Sequence, residues 1–126
     1  VEPYHRIKQM KTIIDAFINE ISDKKGEDIL YVDTKNYDHP FTDAILVSSA
    51  LNDIHLKATI EGLKRFYKKN KGTFNALDFL GVSGDYGSKW VILDFNALII
   101  HIMTKDIREQ YQFDDLFQQY DVYQYH

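Results

Sequence analysis

At 126 residues, 44% of them hydrophobic and 14% aromatic, the chain is long enough to bury one substantial core in a single domain. Its net charge of -4 weighs against a domain that binds by neutralising many phosphates, and points to a basic protein partner with little direct nucleic-acid contact. Without cysteine there is no disulfide framework, thiolate nucleophile or Cys-based zinc site, and no run approaches the ~18 apolar residues of a membrane span.

These properties predict a soluble protein in a reducing compartment, the cytoplasm by default, with no membrane contact. The chain does not begin with Met, which leaves room for preceding residues, a removed organelle-targeting segment among them.

Ile7, Met10, Ile14, Phe17 and Ile21 recur at spacings of three and four, Ile13 and Ile18 widen the stripe, and Lys24-Lys25-Gly26 closes it. The spacing predicts an amphipathic helix over residues 4–24, laid on a sheet. Two strands follow at residues 28–33 and 44–48, separated by the turn-rich stretch from Thr34 to Pro40. A second helix begins at Asn52 or Asp53 and runs to Asn70, with Leu56, Ile60, Leu63 and Tyr67 on one stripe, an acidic start and a basic finish. A short strand is predicted near Phe79 to Val82, in a stretch whose end is punctuated by glycines at 81, 84 and 87.

The strongest β signal is a pair of apolar runs, 89–95 and 98–103, separated by Asn96-Ala97, which reads as a hairpin. Thr104 is placed to cap a last helix through Tyr111, and residues 114–117 add one more turn. The tail, residues 118–126, is polar and aromatic and is expected to fray from a domain comprising residues 1–117. The order predicts a single α/β (α+β) domain with a mixed β-sheet and helices packed on it.

With a two-residue loop, facing hairpin residues have numbers that sum to 193, so Trp90 faces Met103, Ile92 faces His101 and Asp94 faces Ile99. Alternation then gives Val91, Leu93, Phe95, Leu98, Ile100 and Ile102 an entirely apolar face, the core. Trp90, Ile92, Asp94, Ile99, His101 and Met103 share the other. An aromatic, a carboxylate, an imidazole and a thioether together have the composition of an interface anchor. The alternative, that a helix covers this face too and His101 is a satisfied core histidine, stays open.

The five histidines, His5, His39, His55, His101 and His126, lack metal-ligand spacing, and no metal or other cofactor is expected. Ser48-Ser49 end a strand before a helix, yet neither a Gly-rich phosphate loop nor a Gly-x-Ser-x-Gly elbow accompanies them. Asp28, Asp33, Asp43 and Asp94 could be imagined as metal-binding acids of a nucleotidyltransferase. Such enzymes have a Gly-Ser loop followed by an Asp-x-Asp pair, and here no Gly stands beside Ser48-Ser49 and no Asp-x-Asp occurs.

Residues 28–33, Thr42-Asp43, Ser49, His55, Gly84, the run from Trp90 to Asp94, His101-Ile102-Met103, Arg108, Tyr111 and Leu116 together resemble the RsfS/Iojap family across nearly the whole chain. The resemblance implies a ribosomal silencing factor that binds the large ribosomal subunit through ribosomal protein L-fourteen and hinders joining of the small subunit when nutrients are scarce. The fold it implies is nucleotidyltransferase-like without the catalytic acids, and it implies no enzymatic activity. The residues it assigns to the partner are Thr42, Asp43, His55, Trp90, Asp94, His101 and Tyr111, to which the hairpin parity adds Met103. Ala50, Asn52, Ser83, Asn96-Ala97 and Phe117 depart from the family pattern, and residues 72–79 look longer than usual. A nucleotidyltransferase-like enzyme and a large-subunit assembly factor are the alternatives. An exposed Trp/Met face is also compatible with a homodimer when its partner is absent.

Overall fold

The computed structural model describes residues 3–37 and 42–125, and has the order α1 (Pro3–Asp23), β1 (Glu27–Asp33), β2 (Ala44–Ala50), α2 (Asp53–Lys69), β3 (Gly81–Asp85), β4 (Trp90–Asp94), β5 (Leu98–Thr104), α3 (Lys105–Gln110), a 3-10 helix (Phe113–Phe117) and β6 (Asp121–Gln124). The end of the predicted turn stretch, residues 38–40, and with it His39, lies outside the described residues, as does His126. No helix among the described residues is long and apolar enough to cross a membrane.

The strands form one sheet in the order β3-β4-β5-β2-β1-β6. Among the described residues only β2 and β5 pair in parallel, a crossover for which α2, β3 and β4 supply the connection. All other neighbours are antiparallel, so the expected mixed sheet is present. Helices α1 and α2 cover one face, where Ile13, Phe17 and Ile21 meet Leu56, Ile60 and Leu63 over Leu46, Val91, Leu93 and Ile100. Burial of that apolar area supplies the main stabilisation of the domain. Phe17 sits within 5.0–5.5 Å, between ring centres, of Phe74, Phe66 and Phe95.

The other face is covered over its central part alone. Phe113 and Phe117 of the 3-10 helix pack on Leu30, Val32, Ile45, Val47 and Met103.

Two expectations need correction. The strand placed near Phe79 to Val82 runs from Gly81 to Asp85, since the backbone first follows β4 through Leu80 N–H to Asp94 C=O at 2.8 Å. The tail does not fray: β6 pairs with β1 from Asp33↔Asp121 to Leu30↔Gln124, Tyr123 stacks on Tyr31 at 5.6 Å, and the Tyr37 hydroxyl donates to Asp121 at 3.0 Å. Strand β1 would otherwise leave a row of backbone donors and acceptors at the sheet edge. The folded unit therefore extends past Phe117.

Candidate functional site

The β4–β5 hairpin has the predicted register, Trp90↔Met103, Ile92↔His101 and Asp94↔Ile99. Its turn closes with Phe95 N–H donating to Leu98 C=O at 2.8 Å, and Asn96 adopts φ 70°, a left-handed conformation that Asn tolerates. The Asp94 carboxylate accepts from Asn96 N–H at 2.8 Å, so this side chain shapes the turn. On the far side of β4, Gly84 has φ 76°, and a Cβ there would collide with the Trp90 carbonyl oxygen. Only glycine lets β3 approach β4 at that point.

Trp90 lies half-buried at the border between the covered and open parts of the second sheet face. Its indole N–H donates to Nδ1 of His101 at 3.1 Å, and its ring meets Phe113 edge-on at 5.2 Å and Tyr111 at 6.4 Å. His101 also contacts Phe113 at 5.0 Å. Burial pushes the His101 imidazole down to about 4, so at neutral pH it is uncharged and accepts from the indole through Nδ1. Beyond this supported group, Tyr111 is 61% exposed and Leu116 62%.

The second face is therefore covered in part. The 3-10 helix covers Met103, which is 1% exposed, and makes His101 a satisfied, buried histidine, whereas Trp90 keeps one flank open beside Tyr111. Met103 is corrected from a partner-contacting residue to a support beneath Phe113 and Trp90.

The remaining predicted residues lie elsewhere. Thr42 is buried, with its hydroxyl donating to Ala44 C=O at 3.3 Å and its own carbonyl accepting from the Thr34 hydroxyl. Asp43 joins the hairpin end, its N–H donating to Ala97 C=O at 3.1 Å, and lines a cleft of about 620 Å³ with Asp33, Tyr31 and Tyr123. His55 sits at the start of α2, where Asn52 caps the helix by accepting from His55 N–H at 2.8 Å. Its Nδ1 accepts from Leu51 N–H at 2.9 Å and its Nε2 lies 2.7 Å from the Lys24 carbonyl, which assigns the proton to Nε2. Both ring nitrogens are engaged in tying α2 to the end of α1. Among the described residues no three His, Asp or Glu side chains are placed to hold a metal ion.

Sequence reasoning gave no site role to Phe113, whose ring links Trp90, His101 and Phe117, or to Arg108, which fixes the 3-10 helix. Arg108 is 7% exposed and grips Asp114 with two hydrogen bonds of 2.8 and 3.1 Å, while Nη1 donates to Asp28 C=O at 2.6 Å and to Ser49 Oγ at 3.0 Å. The signal available was an arginine and an acid flanking Phe113 in a short amphipathic segment.

Residues 7–125 match the family described as "Ribosomal silencing factor during starvation". The protein named ribosomal silencing factor RsfS in Haemophilus influenzae is 24% identical over 104 residues, which is 82% of this chain and 96% of that protein. Its namesake in Chromobacterium violaceum is 23% identical over 108 residues, 86% of this chain and 84% of that protein. A mouse protein named mitochondrial assembly of ribosomal large subunit protein 1 is 24% identical over 103 residues, 82% of this chain, and the chain spans 44% of that relative's length. Among solved structures, a Chromobacterium violaceum protein superposes with a TM-score of 0.72 at 22% identity, covering 85% of this chain and 84% of that one. A Bacillus halodurans protein gives 0.68 at 20% identity, with coverage of 84% and 93%. At such identities the structural likeness bears on the fold.

Proposed function

This chain belongs to the RsfS family of ribosomal silencing factors, and on that premise we propose that it is a binding protein, without catalytic activity, that associates with the large ribosomal subunit and lowers translation. It reaches the subunit through ribosomal protein L-fourteen and, once seated, hinders joining of the small subunit. It works in the compartment of the ribosomes it binds, and pairs with a second copy through the same face when no subunit is present.

One observation carries the reading. The second sheet face is half closed, and at its border Trp90, held by His101 and Phe113, stands beside exposed Tyr111, while Leu116 of the 3-10 helix is also exposed. Aromatic anchors held by their own scaffold lose little conformational freedom on binding, which is what a protein-binding hot spot requires. The contact is made by Trp90, Tyr111 and Leu116, with His101 and Met103 behind them. Asp94, Thr42 and Asp43 border the hairpin end, and His55 contributes through the fold.

The test is sedimentation of the purified chain with isolated large subunits. Comigration at moderate salt that Trp90→Ala removes, with the variant still folded by circular dichroism, is the expected result. Failure of large subunits to retain the unaltered chain overturns the reading. The mouse relative's name favours a second reading, action during large-subunit assembly. Preferential retention on precursor subunits over mature ones would select it.

A further inference from the structure

The net charge of -4 conceals an uneven distribution: Lys64, Arg65, Lys68, Lys69 and Lys71 fall within one short stretch, and no acid occurs between Glu61 and Asp78. The rest of the chain is correspondingly more acidic. A basic last turn complements the helix dipole, but Lys71 lies beyond the end of α2, and five cations exceed what that effect uses. Lys68, Lys69 and Lys71 have no ion pair among the described residues, and Lys64 reaches Glu61 only at 3.7 Å.

Three of these cations, Lys64, Lys68 and Lys71, line one cleft with two aromatic rings. A cleft of about 390 Å³ opens between Lys64, Lys68 and Lys71, with Tyr67 and Phe79 as walls, buried Phe95 as floor and Asp78 on the rim. Tyr67 lies 4.9 Å and Phe79 5.3 Å from Phe95, and the two walls are 6.1 Å apart, between ring centres. Phe79 is 40% exposed.

Cations that follow a backbone beside rings on which unpaired bases stack are what single-stranded nucleic acid binds. An acidic protein would use the lysines and leave the rings without a stacking partner. A membrane surface is bound by an amphipathic helix with a free apolar face, and that of α2, with Leu56, Ile60 and Leu63, is buried in the core. We propose that this cleft binds a short stretch of single-stranded RNA, as a second contact on the sheet face opposite Trp90. That RNA is at hand rests on the ribosomal reading above; the charge and the cleft do not. Overall acidity therefore limits nucleic-acid contact to one patch.

The test is fluorescence anisotropy of a labelled oligouridine strand, titrated with the full chain at several salt concentrations. The expected result is binding with a log-log salt slope of about -2, from about -0.7 for each of three phosphates. The variant carrying Lys64→Gln, Lys68→Gln and Lys71→Gln should bind at least about tenfold more weakly, with a flatter slope. Phe79→Ala should weaken binding several-fold at an unchanged slope, through lost stacking. Lys105→Gln, at an exposed cation of α3 outside the cleft, should leave binding as it was. Absence of binding at low salt, equal binding by the triple variant, or equal or tighter capture of polyglutamate or phosphatidylserine vesicles would overturn the proposal. No ribosome enters this assay, so its failure leaves the sedimentation result standing, and the converse holds.

Discussion

The indole nitrogen of Trp90 donates to Nδ1 of His101 across the β4–β5 pair at 3.1 Å, a bond that exists only while His101 is neutral. Burial holds that imidazole at about 4 against an ordinary 6.5. Between these values the unfolded chain takes up a proton that the folded chain refuses. The stabilisation is therefore complete above about pH 6.5, is lost as the pH falls towards about 4, and changes no further below that. The full difference is on the order of 3 kcal/mol. Urea unfolding near pH 7 and near pH 4.5 should show this loss in the unaltered chain and a smaller one in His101→Gln, whose amide accepts from the indole and does not titrate. Equal pH dependence in both proteins would contradict it.

Trp90 and Met103 face each other and should respond differently to truncation. Met103→Ala opens a cavity beneath Phe113 and should cost about 2–4 kcal/mol in unfolding free energy. Tyr111→Ala and Leu116→Ala, at exposed positions, should change stability by less than about 0.5 kcal/mol and yet weaken retention on large subunits. Chemical denaturation and cosedimentation on the same preparations separate the two effects. Retention unaffected by Tyr111→Ala and Leu116→Ala would move the contact away from this edge.

Arg108 joins three elements through one guanidinium: Asp28 at β1, Ser49 of β2 and Asp114 of the 3-10 helix. Arg108→Ala should cost about 3 kcal/mol by leaving buried acceptors unmet. Arg108→Lys should recover little, because one ammonium cannot reproduce the planar fork on Asp114. Full recovery by lysine in a thermal melt would show that charge alone matters there.

The hairpin was legible because strand alternation is a parity argument: once Asn96-Ala97 is the turn, every partner from Trp90↔Met103 to Asp94↔Ile99 follows. The family resemblance and the mixed sheet are likewise borne out. Parity says which face a residue occupies and nothing of what covers it, so Met103 looked available until the 3-10 helix was seen over it. His55 illustrates a second limit, since one of its two ring contacts is to the Lys24 carbonyl, 31 positions away in sequence. Strand β6 was missed because Asp121, Val122, Tyr123 and Gln124 are all exposed, and an edge strand with neither face in the core leaves no apolar rhythm to read.

Removal of residues 118–126 is therefore expected to do more than trim a tail. It uncovers the β1 edge and the Tyr31 ring, and should destabilise the domain by about 1–3 kcal/mol while promoting association through the bared strand. Light scattering together with urea unfolding checks both halves. A truncated chain as stable and monodisperse as the full one would return the tail to the fringe of the fold.

Gly84→Ala should be costly for a residue in an exposed edge strand, at least about 2 kcal/mol, because φ 76° and the Trp90 carbonyl both exclude a side chain. Since the clash falls on the backbone of Trp90 itself, the variant should also lose retention on subunits. A Gly84→Ala protein with an unchanged melting temperature would contradict the close approach of the two strands.

The parallel pairing of β2 with β5 sets when the molecule can finish folding. Ala44 must wait for Leu98 before the middle of the sheet closes, and Tyr31 must wait for Tyr123 before its edge is sealed. Loops of this length close late, so β1 and β2 stand as a two-stranded unit until residues 98–104 and 121–124 reach them.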